Sequence, residues 1–236
     1  MVSMNGDDLL TSLKFSSLKN LGGLTLQNLT RLSTLDLSSL TTVGDLKFQN
    51  LAALSTFNFG RGLQETGNVR LENIQISDLS GISSANKIQS VVLANCQYLS
   101  NITFTFTEVG VVDIGPNNYI QGQQLSFPML ETATSLFLRN STAVSTPRLR
   151  NVSETLGLYG NTFKSYSAQN LTMVGALVLA SNPQVTNFSF PSLAHINGSN
   201  STLDIENNTA LAVIDGFPNL QDVATGDAIF AGNIKK

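Results

Sequence analysis

The chain has 236 residues, of which 12% are charged, with a formal net charge of −3 and one cysteine. Its 13 Lys and Arg are scattered singly and form no basic stripe, so nucleic acid is excluded as a partner. Cys96 alone permits no internal disulfide, and with a single His it cannot build a zinc site, so neither a metal nor a cofactor is expected.

The first residues, MVSMNGDDLLTSLKF, lack the basic and apolar regions of a signal peptide, and no apolar run approaches the length of a spanning helix. Residues 9–22 read as the trailing half of a repeat whose first half is missing, with Leu13 and Phe15 in an alternating run. The full phrase is clearest over residues 44–59, GDLKFQNLAALSTFNF. Leu46 and Phe48 alternate with Lys47, Asn50 follows, Leu51 and Leu54 come next, and Phe57 and Phe59 form a second alternating run.

Aligned on its second apolar position, the phrase recurs at Leu26, Phe48, Leu71, Leu93, Ile114, Leu138, Leu158, Leu179, Ile205 and Phe230. The steps are about 20–26 residues, the period of a solenoid whose units bury their apolar faces by stacking on one another. An apolar residue precedes each position by two, as in Leu24, Leu46, Val69, Leu136 and Leu177. An Asn follows at two places (Asn28, Asn50, Asn73, Asn95, Asn140, Asn207) or at three (Asn117, Asn161, Asn182, Asn208, Asn233). Strict alternation turns the first set inward, where the amides stack and satisfy corner backbone groups. Phe127–Pro128, Phe190–Pro191 and Phe217–Pro218 mark corners, because Pro has no N–H for a ladder. No segment holds a helical period, and no linker interrupts the repeat. The expectation is one all-β domain over 1–236, a right-handed parallel β solenoid of about ten rungs with little helix. A leucine-rich-repeat horseshoe with helices on its convex side is the alternative.

The outward residues of the first strands run Thr25, Lys47, Arg70, Val92, Asp113, Phe137, Gly157, Val178, Asp204, Ile229. Asp113 and Asp204 are four strands apart, about 19 Å, too far to share a glycosidic bond, which needs about 5–9.5 Å. Asp204 and Glu206, two apart on one strand, fall within that window at about 6.5 Å. No acid stacks on them from the next rungs, and the chain has no Trp to carry a sugar ring. His195 has no acid at a recognisable spacing, and phosphate-binding loops are absent. The expectation is no enzyme, with a polysaccharide-acting pair, Asp204 and Glu206, as the alternative. Nine N-x-[ST] sequons do stand out. Asn101, Asn151, Asn170, Asn187, Asn197 and Asn200 are expected to be exposed; Asn28, Asn140 and Asn207 are expected to be buried as corner residues.

The phrases GGLTLQNLTRLSTLDLSSLTTVGDLKFQNL, SFPSL, LDIENNTALAVIDGFPNLQDV and SGI resemble the fungal GPI-anchored cell-wall organisation proteins of the sporulation-specific and extracellular-mutant type. Their repeats are akin to receptor L-domains, and the likeness runs over about residues 9–234. It implies a secreted, glycosylated protein at the outer face of the plasma membrane or in the wall. Such a protein supports wall integrity without catalysis, with wall polysaccharide or wall proteins as partners. Family members carry terminal Cys-containing caps, a Ser-rich stalk and a GPI signal, none of which is present here, so the solenoid is expected to lack its caps and any membrane tie other than a family anchor.

Overall fold

A computed structural model describes the chain apart from residues 61, 80, 116–121, 225 and 233–236. Asn117 and Asn233, two of the recurrent asparagines, lie outside the described residues. Among the described residues the regular structure is strand throughout, with no helix, and the fold is a parallel β solenoid, not a helix-backed horseshoe. Among the described residues no helix is long and apolar enough to cross a membrane. The chain forms two compact units, Met1–Phe106 with Ile114–Gln121 and Thr107–Asp113 with Gly122–Lys236. The sequence, which has no linker, carries no mark of this division.

In the first unit the strands Asn20–Gln27, Thr42–Leu51, Glu65–Ile74 and Lys87–Ala94 pair in parallel. The register stacks Leu24 on Leu46, Val69 and Val91, and Leu26 on Phe48, Leu71 and Leu93. Each copy of the phrase therefore lays its apolar pair directly on the previous one, which closes the interior. On the other side of that interior, Ser12–Lys14, Thr34–Asp36 and Phe57–Asn58 pair through Leu13, Leu35 and Phe57. The Phe48 and Phe57 rings meet edge-on at 6.0 Å and join the two layers. One expectation is corrected here. The first repeat does not lack its leading half, because Val2–Asn5 pairs with Asn20–Gln27, placing Val2 on Leu24 and Met4 on Leu26. Two half-buried side chains in a four-residue run are too weak a pattern to recognise from sequence.

In the second unit the strands Thr132–Arg139, Asn151–Tyr159, Met173–Ala180 and Leu203–Glu206 stack Leu136, Leu156, Leu177 and Leu203. A second column holds Leu138, Leu158, Leu179 and Ile205. The opposite layer contains the parallel pairs Gln123–Ser126 with Ser141–Ser145 and Ser165–Ser167 with Asn187–Ser189. Buried Tyr166 and Thr146 share a hydroxyl hydrogen bond of 2.7 Å, and burial pushes the Tyr166 phenol up to about 12. The apolar pairs Leu24 and Leu26, Leu46 and Phe48, Val69 and Leu71, Leu136 and Leu138, and Leu177 and Leu179 are each at most 1% exposed. Phe230 is 49% exposed, since no described strand packs over it.

Corners follow one rule. Leu130, Leu193 and Leu220 N–H groups donate to the carbonyls of Phe127, Phe190 and Phe217 at 3.4, 3.2 and 3.3 Å. Phe-Pro-x-Leu is thus a four-residue turn with Pro at its second place, where a fixed φ is pre-set for turning.

The recurrent asparagine has a different cause from the one expected. Asn28, Asn50, Asn73, Asn95, Asn140 and Asn207 all have φ between 52° and 56°, and Gly160, Ser181 and Gly232 at the equivalent places also have positive φ, 62°, 58° and 93°. Left-handed backbone is costly for most residues and tolerated by Gly and Asn, so the residue type is set by φ. That one residue also breaks the alternation. Asn28, Asn73, Asn95 and Asn207 are exposed and Asn50 and Asn140 half-buried, none of them inside. In the first unit the amides still stack as expected, with Asn28 donating to Asn5, Asn50 to Asn28, Asn73 to Asn50 and Asn95 to Asn73, at 2.7–2.9 Å.

The residue after each left-handed corner is the one that turns in. Leu29, Leu51, Ile74 and Cys96 are 0% exposed in the first unit, and so are Ser141, Asn161 and Asn182 in the second, with Asn208 at 5%. The buried amide ladder is therefore Asn161, Asn182 and Asn208. Asn161 Oδ1 accepts from the Ser141 N–H, Asn182 Oδ1 from the Asn161 N–H, and Asn208 Oδ1 from the Asn182 N–H, at 2.8–2.9 Å. Their Nδ2 groups donate to the carbonyls of Leu138, Leu158 and Leu179. Cys96 occupies the same place and points its thiol at the Leu71 carbonyl at 3.4 Å.

Candidate functional site

The solvent face of the long sheet in the second unit gathers polar and aromatic side chains in two rows. The register aligns Phe137, Gly157, Val178 and Asp204 in one row and Arg139, Tyr159, Ala180 and Glu206 in the next. Alternation fixes this, because Leu138, Leu158, Leu179 and Ile205 between them point inward. Neighbouring strands lie about 4.8 Å apart, so the first row spans about 14 Å from Phe137 to Asp204.

The rows are organised by one missing Cβ. Gly157 is the only glycine among the outward first-row positions, and a Cβ placed there would collide with the Tyr159 ring. The outer end of the ring, its Cε2, Cζ and Oη, therefore leans into the space that a side chain at 157 would fill. Arg139 is set against it, its guanidinium carbon 5.3 Å from the Tyr159 ring centre and 5.4 Å from that of Phe137. Asp113 fixes the guanidinium from the other side by an ion pair. Burial raises the Tyr159 phenol above its ordinary value, with Arg139 opposing. Beyond Tyr159, Val178 and Ala180 are small, Asp204 and Glu206 follow, and Ile229 and Ala231 stand beside them on the next strand. Asp204 Oδ1 is shut off from solvent and accepts no hydrogen bond. Burial, and then the charge of Glu206, raise its carboxyl above the usual carboxylate value.

The same face in the first unit is self-satisfied. Gln27 donates to Gln49 at 2.7 Å and Arg70 pairs with Glu72 at 3.0 Å. The outward column was legible in the sequence, but Tyr159 was not, because the chain has no Trp, the more obvious sugar platform. The glycine two places before a tyrosine was the available signal.

His195 is not without an acid. Parallel register sets it on Asp222, with Nδ1 and Oδ2 2.9 Å apart at a half-exposed site. A spacing of 27 residues is one rung, visible only once the rungs are in register. Cys96 is buried and its thiol is pushed up to about 12, chiefly by burial. Among the described residues no three metal-binding side chains gather. Of the sequons, Asn101, Asn170, Asn187, Asn197 and Asn200 are exposed. Asn151 is half-buried at the start of a strand, its Oδ1 without solvent or partner, contrary to the exposure expected of it. Asn28 and Asn207 are exposed and Asn140 half-buried, where burial was expected, for the left-handed corner turns all three side chains out.

The fold and its repeating apolar columns define a leucine-rich-repeat solenoid. Six copies of the BspA type leucine rich repeat region match residues 8–128, and the chain belongs to that family. It is 35% identical over 196 residues to Protein ecm33 of Aspergillus fumigatus, covering 83% of this chain and 43% of that protein. It is 36% identical over 230 residues to a cell surface GPI-anchored protein of Arthroderma benhamiae, covering 96% of this chain and 57% of that one. Sporulation-specific protein 2 of Saccharomyces cerevisiae is 28% identical over 177 residues, 72% of this chain and 34% of its own length. The likeness to fungal cell-surface and sporulation-specific proteins read from the repeat phrases is borne out. The chain spans about half the length of the first two relatives and a third of the last. No solved structure matches it.

Proposed function

We propose that the chain is the repeat portion of a non-catalytic fungal cell-surface protein that supports cell-wall organisation by binding wall material, glycan or protein. The observation that carries this reading is its likeness to Protein ecm33 and to a cell surface GPI-anchored protein over most of its length. By the same likeness it resides outside the cell, at the wall or the outer face of the plasma membrane, with exposed sequons glycosylated. A rigid stack of parallel strands suits a wall component, since each rung holds its surface residues at a fixed pitch. The Asp204 and Glu206 pair is read as part of a binding surface. The experiment is complementation. The chain, given a secretion leader and an anchor signal, is displayed on a fungal strain lacking its own relative. Restored growth on wall-binding dyes is the expected result. Display without restoration overturns the reading.

A further inference from the structure

We infer that the two-row face of the second unit is a binding subsite for a β-linked pyranose chain of gluco configuration, with Tyr159 as its stacking floor and Asp204 and Glu206 as its hydrogen-bonding end. The inference rests on the wall-binding reading above and names its ligand class and residues.

Three features converge. Tyr159 leans across its strand because Gly157 has no side chain to hold it off, so the outer end of the ring borders this face. Arg139 and Asp113 fix that position through a cation–ring contact and an ion pair, which removes the ordering cost a free ring would carry on binding. Asp204 Oδ1 is a desolvated acceptor with no donor, two strands from Tyr159, on the same face. A buried acceptor left unmatched is unfavourable, and turning the carboxyl about its last bond, a soft torsion, would bring it to a ligand hydroxyl. Val178 and Ala180 leave low ground between the ring and the acid.

That combination selects a chemistry. A pyranose whose hydroxyls are all equatorial presents axial C–H groups on both faces, and these pack on the electron-rich face of an aromatic ring. The hydroxyls radiate from the rim, where Asp204, Glu206 and the Tyr159 Oη can meet them. An axial hydroxyl, as in mannose, interferes with stacking. The expected ligand is therefore a glucose or N-acetylglucosamine polymer in β linkage, and not mannan.

The test is retention of the full chain on isolated fungal walls and on purified β-glucan, chitin and mannan particles. Binding of short β-linked oligosaccharides is followed by calorimetry. The wild type is expected on walls and on β-glucan or chitin, and not on mannan. Tyr159→Ala and Asp204→Asn are each expected to weaken binding about tenfold or more, the equivalent of one decade in Kd. Arg70→Ala, on the same face of the first unit, should bind as wild type. Circular dichroism and thermal unfolding establish that each variant is folded; Tyr159→Phe, which keeps the ring, covers a Tyr159→Ala that fails to fold and should retain most of the affinity. Equal retention of folded wild type and Tyr159→Ala on walls refutes this subsite while wall binding itself stands. A mannan preference also refutes it. No retention of the wild type on any wall preparation refutes both.

Discussion

Asn182→Ala tests the assignment of the buried amide ladder. The Asn182 side chain is 0% exposed and makes four hydrogen bonds. Its Oδ1 accepts from the backbone and side-chain amides of Asn161, both at 2.9 Å, and its Nδ2 donates to the Leu158 carbonyl and Asn208 Oδ1, both at 3.0 Å. Alanine strands the Asn161 N–H outright and takes a donor from Leu158. Asn208 Oδ1 keeps the Asn182 N–H, and Asn161 Nδ2 keeps the Leu138 carbonyl. The Leu158 carbonyl keeps its place in the strand ladder, so one stranded donor gives a loss of about 1–3 kcal/mol. Urea unfolding followed by far-ultraviolet circular dichroism measures it. Asn50→Gly is the control: Asn50 sits half-buried at a left-handed corner with φ 56°, a conformation glycine adopts freely, so it should lose about 1 kcal/mol or less. If Asn182→Ala is no less stable than Asn50→Gly, the buried ladder has been assigned to the wrong column.

Three further outcomes are expected. Cys96, buried with its thiol pushed up to about 12, should resist a thiol reagent at pH 8 in the native chain and react fully in denaturant; fast native labelling contradicts that placement. Asp204, with a carboxyl raised by burial and by Glu206, favours folding below its raised value, and that contribution is lost as pH rises through it. Asp204→Asn should therefore melt at or above wild type at pH 7, with the advantage shrinking as pH falls towards the usual carboxylate range; a lower melting temperature at pH 7 counts against it. In chain secreted from a fungal host, glycopeptide mapping should find Asn101, Asn170, Asn187, Asn197 and Asn200 occupied and Asn151 empty; the reverse pattern refutes the placement of these side chains.

The periodic apolar pairs were legible because each sits on its copy one rung away, so one repeat length specifies both strand and register. Prolines at 128, 191 and 218 announced their turns through a fixed φ and a missing N–H. The corner asparagines were found but turned the wrong way. Alternation holds only while φ stays extended, and a single residue near 55° shifts the inward place from the second residue to the third. The repeated Gly and Asn at that place were the sign. His195 with Asp222 and the resting place of Tyr159 were hidden for a different reason. Each depends on what the neighbouring rung puts beside it, His195 on a partner 27 residues away and Tyr159 on a side chain that Gly157 does not have.

The proposed sugar platform is tested most directly by Gly157→Val, which adds no group to a ligand and takes none away. Valine suits a strand, and its Cβ occupies the space where the Tyr159 ring lies, so the ring must lift. With a folded variant shown by circular dichroism, the measurement is the fraction retained on β-glucan and chitin particles beside wild type. Retention falling about tenfold, with thermal stability kept within a few degrees, is the expected result. Undiminished retention with the ring displaced would mean that binding, where it occurs, does not use this face.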